Sequence, residues 1–412
     1  MKYLSIISKY LIIVLTALAF SVYLYSCKDD PEEPPMPEAI RQTTLIYAVN
    51  HNNLSSDLAQ NQRQMLEAFK KSDSSGAAIL LYRTDTNDEC GLYQAVLTWE
   101  EGVGRSADWE LIKKYDRNIP STDPSRIRKV IEDALEMYDT QDNNLFFWGH
   151  GTAWTPENSG HILKSRQNIA PTEKDAPEAY GFGGENMSNG TDWTNIDELA
   201  SAVPDGKFDL IWFDCCYMSS IETAYQFRNK CNKYVAYPTE IAGEGLPYNQ
   251  ILPFIFKSEK DLESAALALY KHYDRQNTCV TVAVWDMSAI EDVASCARDI
   301  FASGSALPSK SDLYNYSRHD PYYDFGQYMR NYASANGASD LIPGFENALR
   351  RLIIRAYASE RDFKRQPIPV ENFSGVNVHY FTEDNTSDDE YYRSLDWYKA
   401  TRMNDHVSTS SR

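Results

Sequence analysis

Hydrophobic positions along the chain come in short, nearly continuous runs that stop abruptly at polar or glycine residues. Residues 44–49, 77–83, 145–148, 208–213, 234–237 and 279–285 are such runs. Runs of this length read as strands buried on both faces, because a strand with one wet face would alternate. Between them the apolar spacing lengthens to three and four. Ile127, Val130, Ile131, Ala134 and Leu135 mark a helix over 125–138, and similar patterns predict helices ending near Lys71, opening after Ser219-Ser220, and spanning 261–273 and 290–301. Strands separated by helices imply right-handed crossovers and an α/β fold with a mostly parallel central sheet and helices on both faces. Residues 91–99 read as a third strand, antiparallel and at an edge. From about residue 305 the pattern turns helical, over 325–332 and 343–357, before one more strand at 376–381.

Two stretches break this rhythm. Residues 155–192 are polar, glycine-rich and poor in apolar periodicity, and loops of that length are usually functional. They contain Lys164, Arg166 and Lys174. The other is the amino end. Lys2 and Lys9 precede an apolar run over 11–24, too short for a bilayer span, so residues 1–26 read as a signal peptide. Leu24-Tyr25-Ser26-Cys27 resembles a bacterial lipoprotein processing site, which implies lipidation of Cys27. The Lys-Asp-Asp that follows resembles the surface-export signal of Bacteroidetes lipoproteins. That resemblance implies a Gram-negative envelope protein anchored to the outer membrane through Cys27 and displayed at the surface. Residues 27–42 are acidic and proline-rich and read as a tether, 43–400 as the folded domain, and 401–412 as a tail.

Composition narrows the function. The formal net charge is −19, or −21 once a leader carrying Lys2 and Lys9 is removed, which argues against nucleic acid as a partner and suits cationic peptides. The seven cysteines form no CxxC pair and none stands at zinc-ligand spacing from a histidine, so no metal site is expected. Most read as plain buried thiols.

The candidate chemistry lies where two apolar runs end. The run at 208–213 stops in Asp214-Cys215-Cys216, and the run at 145–148 stops in Gly149-His150-Gly151. Open α/β sheets place their sites at the carboxyl ends of central strands. A cysteine attacks as thiolate, so Cys216 needs a base, and His150 can take its proton and return it to a leaving amine if the two strands are neighbours. A helix starting just after Cys216 would favour the anion. The backbone N–H groups of Gly151 and Cys216 could form an oxyanion hole. Glu222 reads as a structural hydrogen-bond partner. His161, His272, His319, His379 and His406 have no motif around them, and Asp214 could cap the following helix.

These motifs resemble the clostripain family of caspase-like (clan CD) cysteine peptidases. The resemblance rests on His150-Gly151-Thr152-Ala153-Trp154, on Asp214-Cys215-Cys216-Tyr217-Met218 followed by Glu222 and Ala224-Tyr225, and on Tyr47-Ala48 with Asn52-Asn53-Leu54. Gly245-Leu246-Pro247-Tyr248, Tyr323-Asp324-Phe325 and Ser374-Gly375 extend it in order. It implies a caspase-like three-layer sandwich and a His150/Cys216 dyad, with Cys215 in the family's alanine place. It also implies cleavage after Arg or Lys, with Asp214 as an acidic pocket floor. Tyr217 replaces the family leucine, and Leu246 stands where tryptophan is frequent. Family members can be activated by self-cleavage at a basic residue, for which Lys164, Arg166 and Lys174 qualify by location. No cofactor is required for the chemistry, although the family can depend on calcium. Two function classes follow: an endopeptidase for proteins with basic residues, or a non-catalytic surface protein holding basic peptides in the same cleft.

Overall fold

A computed structural model describes the chain from residue 39 to 405, leaving out 73–75, 86, 88, 101–103, 139, 157–180, 189, 318–321, 363–365, 381–388 and 404. The leader, Cys27, Lys164, Arg166, Lys174, His161, His319 and His406 therefore lie outside the described residues.

The strands are β1 (Gln42–Ala48), β2 (Ala77–Thr84), β3 (Cys90–Glu100), β4 (Gly104–Tyr115), β5 (Asp142–Trp148), β6 (His150–Gly151), β7 (Phe182–Met187), β8 (Gly190–Thr194), β9 (Phe208–Asp214), β10 (Cys231–Ala236), β11 (Thr281–Asp286), β12 (Tyr322–Asp324), β13 (Ile353–Ala358) and β14 (Asn377–His379). Nine of them form one sheet in the order β13-β11-β10-β9-β5-β1-β2-β3-β4. The five at its centre, β10, β9, β5, β1 and β2, are mutually parallel, and an antiparallel pair extends each side.

The unbroken apolar runs are explained by what lies above and below this sheet. Tyr47, Phe147 and Phe213 point into one core, which is covered by α2 (Pro124–Met137), α3 (Ile196–Ala202), α4 (Ile221–Gln226), α7 (Ile290–Phe301), α8 (Phe325–Ala335), α9 (Ile342–Leu352), α10 (Asp389–Ser394) and α11 (Asp396–Thr401). Their neighbours Ile46, Phe146 and Trp212 point into a second core under α1 (Ser55–Lys71), α5 (Tyr248–Ile255) and α6 (Leu262–Arg275). Successive side chains alternate as the pleat demands, but both directions are dry. Helices, sheet and helices make the three layers. Among the described residues no helix is long and apolar enough to cross a membrane.

Several elements depart from expectation. Residues 91–99 do form an antiparallel strand, but β4 lies outside it and is the true edge. The helix expected over 343–357 ends at Leu352, where the chain turns into edge strand β13. Residues 182–194 are not irregular: β7 and β8 form a hairpin that pairs with β6 in a small sheet of its own. The strand near 376–381 is β14, which joins β12 in a two-stranded sheet and not the main one.

Phe213 shows how the sheet centre is held. Its ring stacks on Phe147 at 5.0 Å and meets Phe227 and Tyr234 at 5.2 and 5.4 Å. Phe213→Ala should cost roughly 3–5 kcal/mol, read as a lowered urea midpoint with an unchanged slope.

Candidate active site

Strands β5 and β9 are adjacent and parallel, with Trp148 opposite Asp214. His150 and Cys216 each stand two residues beyond that pair, so their turns leave the sheet side by side at its carboxyl edge. Gly151 is where the turns touch. A Cβ there would lie 2.8 Å from the Cys216 carbonyl oxygen and 2.9 Å from Cys215 Cβ and Met218 Cε, so only glycine allows the approach.

The histidine is oriented from the neighbouring strand. Strand β1 pairs with β5, with Ala48 opposite Trp148, and the turn after β1 carries Asn53. Asn53 Oδ1 accepts a hydrogen bond from His150 Nε2 at 2.8 Å. An amide oxygen only accepts, so Nε2 carries the proton and Nδ1 keeps the free lone pair. Burial pushes the His150 pKa down to about 4, so the ring is neutral at pH 7.

The two cysteines differ. Cys215 is fully buried and its thiol donates to the Phe147 carbonyl at 3.3 Å. Cys216 is half-buried; the Ile241 N–H donates to its Sγ at 3.4 Å, and the thiol lies 3.8 Å from the Ile241 carbonyl. Burial pushes its pKa up to about 12; the Ile241 N–H opposes that rise, and the charges of Glu240 and Asp214 add to it. The expected help from a helix N-terminus is not realised. Helix α4 begins only at Ile221, capped by Ser220, and Tyr217 between them takes a left-handed φ of 62°. Ala153, after His150, has a similar φ of 56°, so both turns hold residues in sparsely populated conformations, as functional turns often do.

The turn that carries Cys216 is laced to its surroundings. Tyr217 and Ser219 N–H groups donate to the Thr239 and Tyr237 carbonyls, both at 2.9 Å. Asn377 Nδ2 donates to the Tyr217 and Pro238 carbonyls at 3.1 and 3.0 Å. Glu222, buried, accepts from Ser220 Oγ, the His379 N–H and Tyr392 Oη, the structural role expected of it.

Asp214 is not a helix cap. Only 4% exposed, it turns under the loop after β10, where Oδ2 accepts from the Leu246 N–H and Tyr248 Oη, each at 3.1 Å. Its Oδ1 has no hydrogen-bond partner among the described residues. Burial pushes its pKa up to about 7. Among the described residues no three His, Cys, Asp or Glu side chains converge to hold a metal ion. No two of the described cysteines are joined in a disulfide.

The Peptidase_C11 (clostripain family) model matches residues 46–408. The chain belongs to the clostripain family. It is a cysteine-type peptidase. A secreted C11 cysteine protease from Bacteroides thetaiotaomicron, solved with an irreversible peptide inhibitor, is 24% identical, with 89% of this chain and 99% of that one covered at a TM-score of 0.71. An inactive zymogen C11 protease from Parabacteroides distasonis is 25% identical, over 89% and 99% of the two chains, at 0.72. The secreted Bacteroides thetaiotaomicron protease iotapain is 22% identical, over 88% and 99%, at 0.72. No curated protein matches the chain. Sequence reasoning missed two residues at this clostripain-family site: Asn53, quoted only as a motif match, and Ile241, whose backbone engages the thiol. Neither carries a residue type or spacing that marks its contact.

The buried Asp214 carboxyl gives a stability signature. With its pKa raised from 3.8 to about 7, the folded protein keeps a proton that the unfolded chain releases. The site costs nothing below pH 3.8, costs more as pH rises through that window, and reaches its full penalty above pH 7. Asp214→Asn, made in a Cys216→Ala background, should therefore stabilise the protein by about 2–4 kcal/mol at pH 8 and by little at pH 4, measured by denaturant unfolding at each pH.

Proposed function

We propose that this peptidase is an endopeptidase cleaving after Arg or Lys, with Cys216 as nucleophile and His150 as its base. The observation that carries the reading is the register of β5 and β9, which brings His150 and Cys216 out of the sheet on adjacent strand ends. In the reaction, His150 Nδ1 takes the thiol proton as Sγ bonds to the scissile carbonyl carbon. The N–H groups of Gly151 and Cys216 receive the oxyanion. The C–N bond then breaks, His150 protonates the departing amine, and water activated by the same nitrogen hydrolyses the thioester. Asn53 acts as a positioning residue by holding the tautomer that leaves Nδ1 free.

The choice of basic side chains is supported by Asp214, a buried carboxyl with one oxygen unpartnered below the Gly245-Leu246 turn. A neutral thiol and a neutral imidazole, with Sγ engaged by Ile241, describe a resting form. The similarity to an inactive zymogen suits activation by an internal cut, for which Lys164, Arg166 and Lys174 are the candidates. We further propose export as a lipoprotein anchored through Cys27; the similarity to secreted proteases suits a location outside the cytoplasm.

Hydrolysis of paired Arg and Lys peptide substrates by the form starting at Pro31 tests the reading, with intact mass recorded throughout. Turnover should vanish in Cys216→Ala; absence of turnover in the parent, with and without calcium, would favour the peptide-binding alternative. Asn53→Ala should lower kcat about tenfold with KM nearly unchanged. The pH profile is a third check. A cationic side chain pairs with ionised Asp214, so kcat/KM for Arg substrates should rise with pH and level off above about 7, the Asp214 pKa.

A further inference from the structure

Helix α1 presents one face to the turn that covers Asp214. Asn61, fully buried, donates through Nδ2 to the carbonyls of Glu244 and Leu246 at 2.9 and 3.3 Å, while its Oδ1 accepts from Trp148 Nε1 at 2.9 Å. Gln64 Oε1 accepts from the Tyr248 N–H at 3.1 Å. Asp57 lies four residues before Asn61, on the same face one turn nearer the helix start. It borders the front of the same covering turn: a Cβ on Gly243 would lie 3.4 Å from Asp57 Oδ2. Two residues on, a Cβ on Gly245 would lie 2.7 Å from Asp214 Oδ2 and 3.1 Å from Oδ1. A single glycine-rich turn thus has one carboxylate beneath it and another at its side. Asn53, which orients His150, is four residues before Asp57, so Asp57 follows directly on the element that holds the base.

The charges here are uncompensated. Asp57, Asp214, Glu240 and Glu244 gather around residues 240–246, and among the described residues none forms an ion pair with Lys or Arg. Asp133 and Glu185 are paired with cations, Asp133 with Lys113 and Lys129 and Glu185 with Arg117, whereas buried Glu222 and Asp324 are held by hydroxyl and backbone N–H donors. Gathering carboxylates around one turn with no cation is unfavourable, and partial burial and the Glu244 charge push the pKa of half-buried Asp57 up. The buried, unpartnered Oδ1 of Asp214 marks where an incoming cation would be most strongly held.

We propose that Asp57 is a specificity-determining residue, a second carboxylate at the mouth of the pocket that contacts the cationic end of the substrate side chain entering above Asp214. The inference rests on the basic-residue reading above. A cation within reach of both carboxylates is attracted to each, so Asp57 strengthens charge selection without touching the scissile bond.

The test compares two substrates that differ only in whether the residue before the cut is arginine or citrulline, its uncharged isostere. Active wild-type enzyme and Asp57→Asn are assayed with both. Asp57→Asn should lower kcat/KM for the arginine substrate about tenfold, through KM with kcat held, and leave the citrulline substrate unchanged. Asp57→Glu should restore most of the arginine preference. Equal losses on both substrates would make Asp57 merely structural, and an unchanged ratio would remove it from recognition; either overturns the inference while the basic-residue reading stands. A wild-type enzyme with no preference for arginine over citrulline would overturn both.

Discussion

The pairing of β5 with β9 is the constraint on which the rest depends. Parallel neighbours in the middle of a sheet have no freedom to slip, because each carries apolar side chains alternately into two dry cores. Shifting either strand by one residue would move Phe147 or Phe213 from one helix layer to the other and expose the mismatch on both sides. The register that places Trp148 opposite Asp214 is thereby fixed by packing far from the chemistry. Everything at the carboxyl edge inherits it: the meeting of the two turns at Gly151, the reach of Asn53 from β1, and the position of Asp214 under the loop after β10.

What lies beyond the strand ends is held differently. The Cys216 turn has no regular pairing of its own, so its backbone groups are satisfied one by one from β14 and from the 237–239 loop. Glu222 ties the first turn of α4 to the backbone of His379 and to Tyr392 of α10. The carboxy-terminal elements are therefore part of the site's support, since they fix a turn that contains a left-handed Tyr217. A strained residue persists only where its neighbours over-determine it, and here they come from three separate parts of the chain.

The sequence made the sheet's centre and the identity of the two turns legible, and the reason is physical. A doubly buried strand must be continuously apolar, and the ends of such strands stand out against it. The strands that escaped notice lack that signature. β4 is an edge strand carrying Arg105, Asp108, Glu110, Lys113 and Lys114, with one side of its backbone facing water. β7 and β8 contain Gly183, Gly184 and Gly190 at positive φ, where tight curvature takes the place of apolar pattern. β13 follows α9 without a break in hydrophobicity, so the helical periodicity ran on into it. At the candidate site, His150 and Cys216 stood out in the sequence because each ends an apolar run. The contacts of Asn53 and Ile241 were not, because an asparagine in a polar turn or a backbone amide in a loop gains its role only when a distant strand end arrives beside it. Helix α4 starts where Ser219-Ser220 indicated, but too far from Cys216 to favour a thiolate, because hydrogen bonds from Tyr217 and Ser219 to the 237–239 loop hold the chain extended past Cys216 before it coils.

The electrostatics of the site follow first from burial. Removing water raises the pKa of Cys216 and Asp214 and lowers that of His150, so burial alone drives all three toward their neutral forms. A fold optimised only for stability would have paired Asp214 with a lysine or replaced it with an apolar residue. On the function proposed above, Asp214 without a cation partner would attract positive charge next to a thiol that its own surroundings hold protonated. Entry of a basic side chain would favour ionised Asp214 and weaken the repulsion that Asp214 and Glu240 exert on a forming Cys216 thiolate. Substrate recognition and activation of Cys216 would then be one electrostatic event, a role that the equally buried Glu222, engaged by Ser220, the His379 N–H and Tyr392, has no free acceptor to play.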